Sequence, residues 1–240
     1  WQFNHASNWN GGAMHLSHDY GFGEVDARAA VRLAETWATQ QSGRNEFSLA
    51  TPASSGTVNL AVPDNNLTGV SSTVTVSGGL LVEHAEVTVN LTHQRAGDLI
   101  VKLISPTGTE SVLMDRPGKA PGSPATDRGD VLFDGSNSLN FTFTTIRDWG
   151  ELSNGNWTIK VIDAASGDTG TLTSWSLDLY GTFTLADTYY YTNEYAQLAV
   201  TGGRNVLPAD TNGGEDTINA AAALGNSSIN LTTGLATIAG

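Results

Sequence analysis

The sequence predicts a mainly β protein whose largest part is an antiparallel β-sandwich. Between residues 57 and 182, short runs of alternating apolar and polar side chains follow one another. Turn signals separate the runs, such as Ser105-Pro106-Thr107-Gly108. The chain of 240 residues also contains 27 glycines, which is typical of many turns and short strands. Regular short strands with such turns are typical of two antiparallel sheets packed face to face.

The first predicted element in chain order is a helix that begins after Asp26. The carboxylate of Asp26 can cap it by accepting a hydrogen bond from a free amide of the first turn. We expect its apolar face to pack on the sandwich or on a partner chain. Residues 42–56, which are rich in Ser, Pro and Gly, then predict a linker. The apolar residues at helical spacing are Ala29, Ala30, Val31, Leu33, Ala34 and Trp37.

The alternation within each strand predicts which side chains form the core. Trp157 and Trp175 share their parity with aliphatic neighbours, so we expect both to be buried rather than to form an exposed sugar-binding strip. Trp149 shows no alternation, and both an exposed domain contact and a small binding site stay open for it. The other residues predicted to point inward are Val87, Val89, Leu91, Leu99, Val101, Leu103, Leu139, Phe141, Phe143, Ile159, Val161, Leu177 and Leu179.

Charge and composition exclude several classes of protein. The net charge of −13 argues against nucleic acid as a partner. No run of apolar residues is long enough to span a bilayer. Because the chain has no cysteine, its stability must come from core packing, from metal ions or from both.

Acidic loops in the β-region suggest a calcium site. Calcium takes six to eight hard oxygen ligands, and loop carboxylates a few residues apart can converge on one ion. Asp and Gly together are also ordinary turn residues, so a site without metal stays open as the alternative. The candidate Ca2+ ligands are Asp98, Asp127, Asp130, Asp134, Asp163 and Asp168.

Two stretches of the β-region resemble a known family. GDLIVKLISPTGTESVL, which begins at Gly97, and IRDWGELSNGNWTIKVIDAASGDTGTLTSWSLDLYGT, which begins at Ile146, resemble the P domain of kexin- and furin-like subtilisins. The resemblance implies that residues 57–182 form a jelly-roll-like sandwich without chemistry of its own. It also implies that this domain packs on a subtilisin domain, stabilises it and shifts its calcium and pH dependence.

The N-terminal region resembles the end of a subtilisin catalytic domain. SHDYGFGEVDARAAV, which begins at Ser17, is similar to the passage that leads into the last helix of that domain. Residues 1–41 are therefore expected to be its C-terminal end. The Gly-Thr-Ser nucleophile passage of subtilisins is absent from the chain, so we expect no catalytic residue here. The histidines of this region are expected to pack inside the protein or to lie on its surface. They are His5, His15 and His18.

The C-terminal region, residues 183–240, resembles the entrance to a serralysin-type calcium-binding β-roll. The similarity lies in DTNGGEDTINAA, which begins at Asp210. It implies calcium oxygens from Asp210, Gly213 and Asp216. The glycine-rich nonapeptide repeat of such rolls is missing, so a plain acidic turn region stays open as the alternative.

Together these features predict the non-catalytic C-terminal portion of an exported, bacterial, kexin-like serine endopeptidase. Its partner would be the subtilisin-like catalytic domain of the same polypeptide, and protein or peptide substrates would be cleaved by the parent enzyme. Two alternatives stay open. One is a carbohydrate- or protein-binding sandwich module, and the other is a structural or secretion module whose residues 187–240 fold with calcium.

Overall fold

Two antiparallel β-sheets within residues 47–182 confirm the predicted sandwich. The chain divides into two units, which we call the sandwich unit (Asn10–Met14 and Glu46–Phe183) and the terminal unit (Trp1–Trp9, His15–Asn45 and Thr184–Gly240). The structure is a computed structural model. It describes residues 9–12, 14–16, 21–38, 42–49, 51–120, 122–124, 127–130, 137–183, 185–186, 188–193, 195–196 and 213–238.

The strands of the sandwich unit form one sheet with five strands and one with four. The first has the order β1-β9-β4-β7, with β2 also paired to β9, and the second has the order β3-β8-β5-β6. All of these pairings are antiparallel. The strands are β1 (Phe47–Ser48), β2 (Ala53–Val62), β3 (Asn66–Val76), β4 (Leu81–Thr92), β5 (Leu99–Ile104), β6 (Glu110–Asp115), β7 (Ser138–Thr145), β8 (Gly155–Asp163) and β9 (Gly170–Thr182).

Alternate residues of both sheets meet in one hydrophobic core. Trp157 and Trp175 lie in it, 0% and 1% exposed, as their parity predicts. Both indole nitrogens have partners, because Trp157 Nε1 donates to the carbonyl of Ser153 at 2.8 Å and Trp175 Nε1 donates to Ser72 Oγ at 3.0 Å. The two tryptophans therefore fill the core without leaving a buried donor unpaired.

One predicted core residue is exposed. Phe141 shares its parity with the buried Leu139, yet 49% of Phe141 is accessible to solvent. Its strand, β7, stands at the end of its sheet, so residues there have a sheet neighbour on one side only. The ring of Phe141 packs edge-on against Phe143, with centroids 4.8 Å apart. The alternation therefore predicted the burial of Leu139 correctly and the burial of Phe141 wrongly.

The segment predicted as a linker takes part in the sandwich. β1 and the first residues of β2 fall within residues 42–56 and pair with β9. Ser55 Oγ accepts a hydrogen bond from the backbone amide of Trp175 at 2.9 Å. The Ser- and Gly-rich composition of this segment is that of an irregular edge strand, whose pairing with β9 shifts register twice.

The terminal unit contains the predicted helix, α1 (Ala27–Ala34), and four short strands. Asp26 caps α1 as predicted, since its Oδ1 accepts from the amide of Ala29 at 2.9 Å. No residue of α1 is buried. No described helix has the length and apolar character to cross a membrane. The strands are β10 (Thr188–Tyr190), parallel to β11 (Thr217–Asn219), and β12 (Ser228–Ile229), antiparallel to β13 (Ala236–Thr237).

Candidate functional site

Three of the predicted calcium ligands lie together at turns of the sandwich unit. Asp98 ends the short helical turn Ala96–Asp98 before β5, while Asp163 ends β8 and Asp168 lies in the following turn. Asp98 and Asp163 are both 0% exposed. The amide of Ala164 donates to the carbonyl of Asp98 at 2.7 Å, which holds the two turns together. We call this group, with His93, Arg95 and Arg128, the acid cluster.

Arg128 bridges two carboxylates of the acid cluster. Its Nη2 donates to Asp98 Oδ2 and to Asp168 Oδ2, each at 2.5 Å. Arg95 Nε adds a second positive group 3.6 Å from Asp168 Oδ2. The hydrogen bond to Asp98 raises the pKa of the Arg128 guanidinium above its usual range. Arg128 therefore stays charged and balances the carboxylates on either side of it.

The third carboxylate, Asp163, is paired with a buried histidine. His93 Nε2 lies 3.2 Å from Asp163 Oδ2, and both side chains are fully buried. The other carboxylate oxygen, Oδ1, accepts from the amide of Ala165 at 3.0 Å. Burial raises the pKa of Asp163, and the hydrogen bonds from Ala165 and His93 oppose that rise.

This arrangement brings the predicted ligands together but does not fit a calcium ion. Calcium requires six or more oxygen atoms directed at one point, whereas the guanidinium of Arg128 lies between Asp98 and Asp168. Across the described residues, no group of three or more His, Asp or Glu side chains is placed to hold a metal ion. The acid cluster is a network of ion pairs.

The remaining predicted ligands differ in their surroundings. Asp127 accepts a hydrogen bond from the amide of Gly129 at 3.1 Å, which lowers its pKa. Asp130 is exposed, with its carbonyl accepting from Gly97 N at 3.0 Å. Gly213 and Asp216 are exposed residues of the terminal unit, and Gly213 has a φ of +80°. Asp134 and Asp210 lie outside the described residues.

A second polar site binds the segment Asn10–Met14, which precedes α1 in the chain. Glu151, which is 1% exposed, receives its hydrogen bonds there. Glu151 Oε1 accepts from the amide of Gly11 at 2.8 Å and from the hydroxyl of Thr109. Glu151 Oε2 accepts from the hydroxyl of Thr107 at 2.7 Å. We call the surface formed by Thr107, Thr109 and residues 147–151 the docking site.

The side chain of Asn10 also binds the segment Asn10–Met14 to the docking site. Asn10 Nδ2 donates to the carbonyls of Arg147 and Trp149, at 2.9 and 2.8 Å. Asn10 Oδ1 accepts from the amide of Met14 at 2.8 Å and closes the segment into a tight turn. Asn10 is 5% exposed, and its three side-chain hydrogen bonds are partly buried.

Two glycines allow the segment to approach the sandwich closely. A Cβ atom on Gly11 would lie 2.4 Å from Thr107 Oγ1, and one on Gly12 would lie 2.4 Å from the carbonyl oxygen of Trp149. Side chains do not tolerate such distances. The Asn-Gly-Gly sequence is therefore matched to the surface that it contacts.

The docking site also contains a buried carboxyl group without a hydrogen-bond partner among the described residues. Asp148 is 1% exposed, and neither of its oxygens has a hydrogen-bond partner in the described structure. Burial raises the pKa of Asp148 to about 8, with a further contribution from the negative charge of Glu151. The group is therefore largely protonated at neutral pH in the folded protein.

Sequence analysis did not identify several residues of these sites. His93, Arg95 and Arg128 stand in loops, where no periodicity marks them. Asp148 and Glu151 belong to the stretch RDWGE, in which only Trp149 was considered as a candidate for a contact or a binding site. No signal in the sequence links that acidic, Gly-containing loop to the Gly-Gly at residues 11–12.

Comparison with known proteins finds a family match within the sandwich unit. The model of the proprotein convertase P-domain family matches residues 82–179. Proprotein convertase subtilisin/kexin type 6 of Rattus norvegicus is 35% identical over 188 residues, which cover 74% of this chain and 18% of that protein. Furin of Bos taurus is 31% identical over 188 residues, with 74% and 21% covered.

A solved structure shares both sequence and fold with the chain. The Aeromonas sobria serine protease, determined in complex with a chaperone, is 26% identical with a TM-score of 0.59. The match covers 73% of this chain and 33% of that protease. The chain thus spans about a fifth of the length of the first two curated relatives and a third of this protease.

Proposed function

Because residues 82–179 belong to the proprotein convertase P-domain family, we propose that the chain is the non-catalytic C-terminal portion of a subtilisin-like serine endopeptidase. The parent enzyme would cleave proteins or peptides. The sandwich would support it mechanically, by holding the end of the catalytic domain in place.

The docking of Asn10–Met14 on the sandwich carries this proposal. The segment belongs to the stretch that resembles the end of a subtilisin catalytic domain, and its Asn10 and Gly11 bind the loop around Glu151. Each hydrogen bond of this kind contributes about 1 kcal/mol, and those to a charged group contribute more. The contacts at Glu151 and Asn10 are therefore strong enough to couple the stability of the segment to that of the sandwich.

The test is the thermal inactivation of the full-length protein that carries this chain. Glu151→Ala and Gly11→Ala should each shorten the half-life of its serine-peptidase activity at elevated temperature. Thr142→Ala is the matched control, because it removes a hydrogen bond with Thr88 that is exposed on the sandwich. Equal half-lives in all variants would contradict the stabilising role, and a full-length protein without serine-peptidase activity would contradict the assignment.

We further propose that calcium dependence resides in residues 183–240, at Asp210, Gly213 and Asp216. The support is the similarity of their sequence to a serralysin-type roll and the misfit of the acid cluster to calcium. Secretion from a bacterium is proposed on the absence of cysteine and on the likeness to the Aeromonas sobria protease. A Tm that rises with millimolar calcium in the intact chain, but not in Asp216→Asn, is the expected result. An unchanged rise in that variant would contradict this location.

The carbohydrate-binding alternative has lost its main support. It depended on tryptophans exposed along one sheet, and both Trp157 and Trp175 are buried. The protease assignment is therefore the function that the geometry supports best.

A further inference from the structure

The docked segment contains a dipeptide, Asn10-Gly11, in which asparagine can deamidate without an enzyme. In this reaction the backbone nitrogen of the following residue loses its proton and attacks the side-chain carbonyl carbon of asparagine. Ammonia leaves, a cyclic succinimide forms, and water opens the ring to aspartate or isoaspartate. Glycine at the following position favours the attack because it has no side chain and a freely rotating backbone. Asn154-Gly155 has the same sequence.

The docked conformation ties up both reacting groups of Asn10-Gly11. The nucleophile is Gly11 N, whose N–H donates to Glu151 Oε1 at 2.8 Å and to Thr109 Oγ1 at 3.2 Å. The leaving group contains Asn10 Nδ2, which donates to two backbone carbonyls, and Asn10 Oδ1 accepts from Met14 N at 2.8 Å. Loss of the Gly11 proton and rotation of the Asn10 side chain onto Gly11 N both require these bonds to break. Deamidation therefore has to wait until the segment leaves the docking site.

The product of the reaction does not fit the docking site. Asn10 Nδ2 lies against the carbonyl oxygens of Arg147 and Trp149. In aspartate an oxygen without a proton replaces this nitrogen, so two carbonyls lose their donor and face a negative charge. The new charge also enters the site that buries Glu151. Isoaspartate adds a methylene to the backbone beside Gly12, where a Cβ would already lie 2.4 Å from an oxygen.

We propose that Asn10 is a deamidation site that is protected only while the segment Asn10–Met14 is docked, and that its deamidation makes undocking irreversible. Each opening of the segment exposes Asn10-Gly11 to the reaction, and the modified segment does not return. The docked state therefore has a finite lifetime, which depends on how often the segment opens. This modification requires only the docking, and it occurs whether or not the parent protein is a peptidase.

The rate of deamidation in the intact chain and in Glu151→Ala tests the protection. Both proteins are incubated at neutral pH, and peptide mass spectrometry follows the aspartate and isoaspartate forms of Asn10. We expect Glu151→Ala to accelerate the reaction at Asn10 by at least about 10-fold, because the segment is then mostly open. Asn154-Gly155 is the internal reference and should react at the same rate in both proteins. An equal or slower reaction at Asn10 in the variant would overturn the proposal.

Gly12→Ala opens the segment in a second way, which keeps the test valid if Glu151→Ala does not fold. Its Cβ would lie 2.4 Å from the carbonyl oxygen of Trp149, while Asn10, Gly11 and Glu151 stay unchanged. We expect the same acceleration at Asn10. Gly43→Ala is the matched control, since a Cβ there meets nothing within 4 Å, and it should leave the rate unaltered.

A pair of substitutions tests whether the product can dock. Asn10→Asp imitates one product and should make the amide hydrogen of Gly11 exchange as fast as it does in Glu151→Ala. Asn154→Asp is the matched control, because Asn154 Oδ1 accepts from the amides at residues 78 and 79, at 2.7 and 2.8 Å, and a carboxylate oxygen accepts equally well. It should leave the exchange of Gly11 unchanged. Full protection of Gly11 in Asn10→Asp would overturn the irreversible step.

Discussion

The sandwich buries carboxylates at two places and stabilises them by different means. In the acid cluster, Asp98 and Asp163 face Arg128 and His93. At the docking site, Glu151 is surrounded by hydroxyl and amide donors, and Asp148 has no partner among the described residues. All four carboxylates are 0–1% exposed. Both sites therefore contain buried carboxylates, and they differ in the groups that contact these carboxylates.

The buried carboxyl group of Asp148 predicts how the stability of the docking site responds to pH. At the acid cluster, the guanidinium of Arg128 stays positive at any pH at which the protein folds. At Asp148 the positive charge of Arg147 opposes the effects of burial and of Glu151 but does not cancel them, so the pKa stays raised and the folded protein binds a proton that the unfolded chain releases. Stability at the docking site must therefore fall as the pH rises from the ordinary carboxyl pKa towards about 8.

The largest expected effect is a stabilising substitution, Asp148→Asn. Between the ordinary pKa of 3.8 and the raised value of about 8, the free energy of unfolding falls by about 1.4 kcal/mol per pH unit, because the carboxyl group ionises in the unfolded chain and not in the folded one. At pH 7 the variant should be more stable than the unmodified chain by about 4 kcal/mol. Urea unfolding at pH 5, 6, 7 and 8 measures this, and the gain should shrink towards low pH.

The control is Asp115→Asn, which neutralises an exposed carboxylate at the end of β6. It should change stability by less than about 0.5 kcal/mol at every pH. If Asp148→Asn and Asp115→Asn behaved alike, Asp148 would be ionised and compensated in the folded protein, and the contrast between the two sites would fail.

The acid cluster should respond in the opposite direction. Asp98→Ala leaves Arg128 without its buried partner, and removing one member of such a pair costs about 3 kcal/mol. The unfolding free energy at pH 7 should fall accordingly. A stability equal to that of the unmodified chain would mean that the pairing of Asp98 with Arg128 contributes nothing.

A smaller loss is expected at the contact between the two glycines and the docking site. Gly11→Ala places a Cβ 2.4 Å from Thr107 Oγ1, and such overpacking costs about 2 kcal/mol. Gly43→Ala is the matched control, because a Cβ at that position meets nothing within 4 Å. Chemical denaturation of both variants should separate them, and equal stabilities would argue against a tightly seated segment.

The smallest effect is expected for an exposed carboxylate. Asp26 caps helix α1 through one bond to Ala29 N, and Asp26→Ala should cost about 1 kcal/mol of helix stability. Amide exchange of the first turn of α1 measures the change. A loss of stability as large as that of Asp98→Ala would mean that the cost of removing a carboxylate does not depend on its burial.

The sequence was sufficient for most of the sandwich because strand alternation is local. Trp157 and Trp175 were placed in the core by the parity of their immediate neighbours. Burial of Phe141 was predicted wrongly because it depends on the position of β7 at the end of a sheet, which its own strand does not encode.

The candidate sites depend more strongly on the path of the loops. Sequence analysis named Asp98, Asp163 and Asp168 as candidate ligands, but the spacing of the sequence does not show that Asp98 lies beside the other two. The positions of Arg128 and His93 could not be predicted, since each reaches the cluster from a different loop. Glu151 acquires its role from Gly11, which is more than a hundred residues away in the sequence.

The central claim is that the sandwich holds the segment Asn10–Met14 through Glu151. Amide hydrogen exchange of Gly11, measured by NMR in the intact chain and in Glu151→Ala, tests it most directly, with the exposed Gly43 as the reference. We predict that Gly11 exchanges on the order of 100-fold more slowly than Gly43 and that Glu151→Ala abolishes most of this protection. Exchange of Gly11 as fast as that of Gly43 in the unmodified chain would contradict the docking and, with it, the proposed supporting role of the domain.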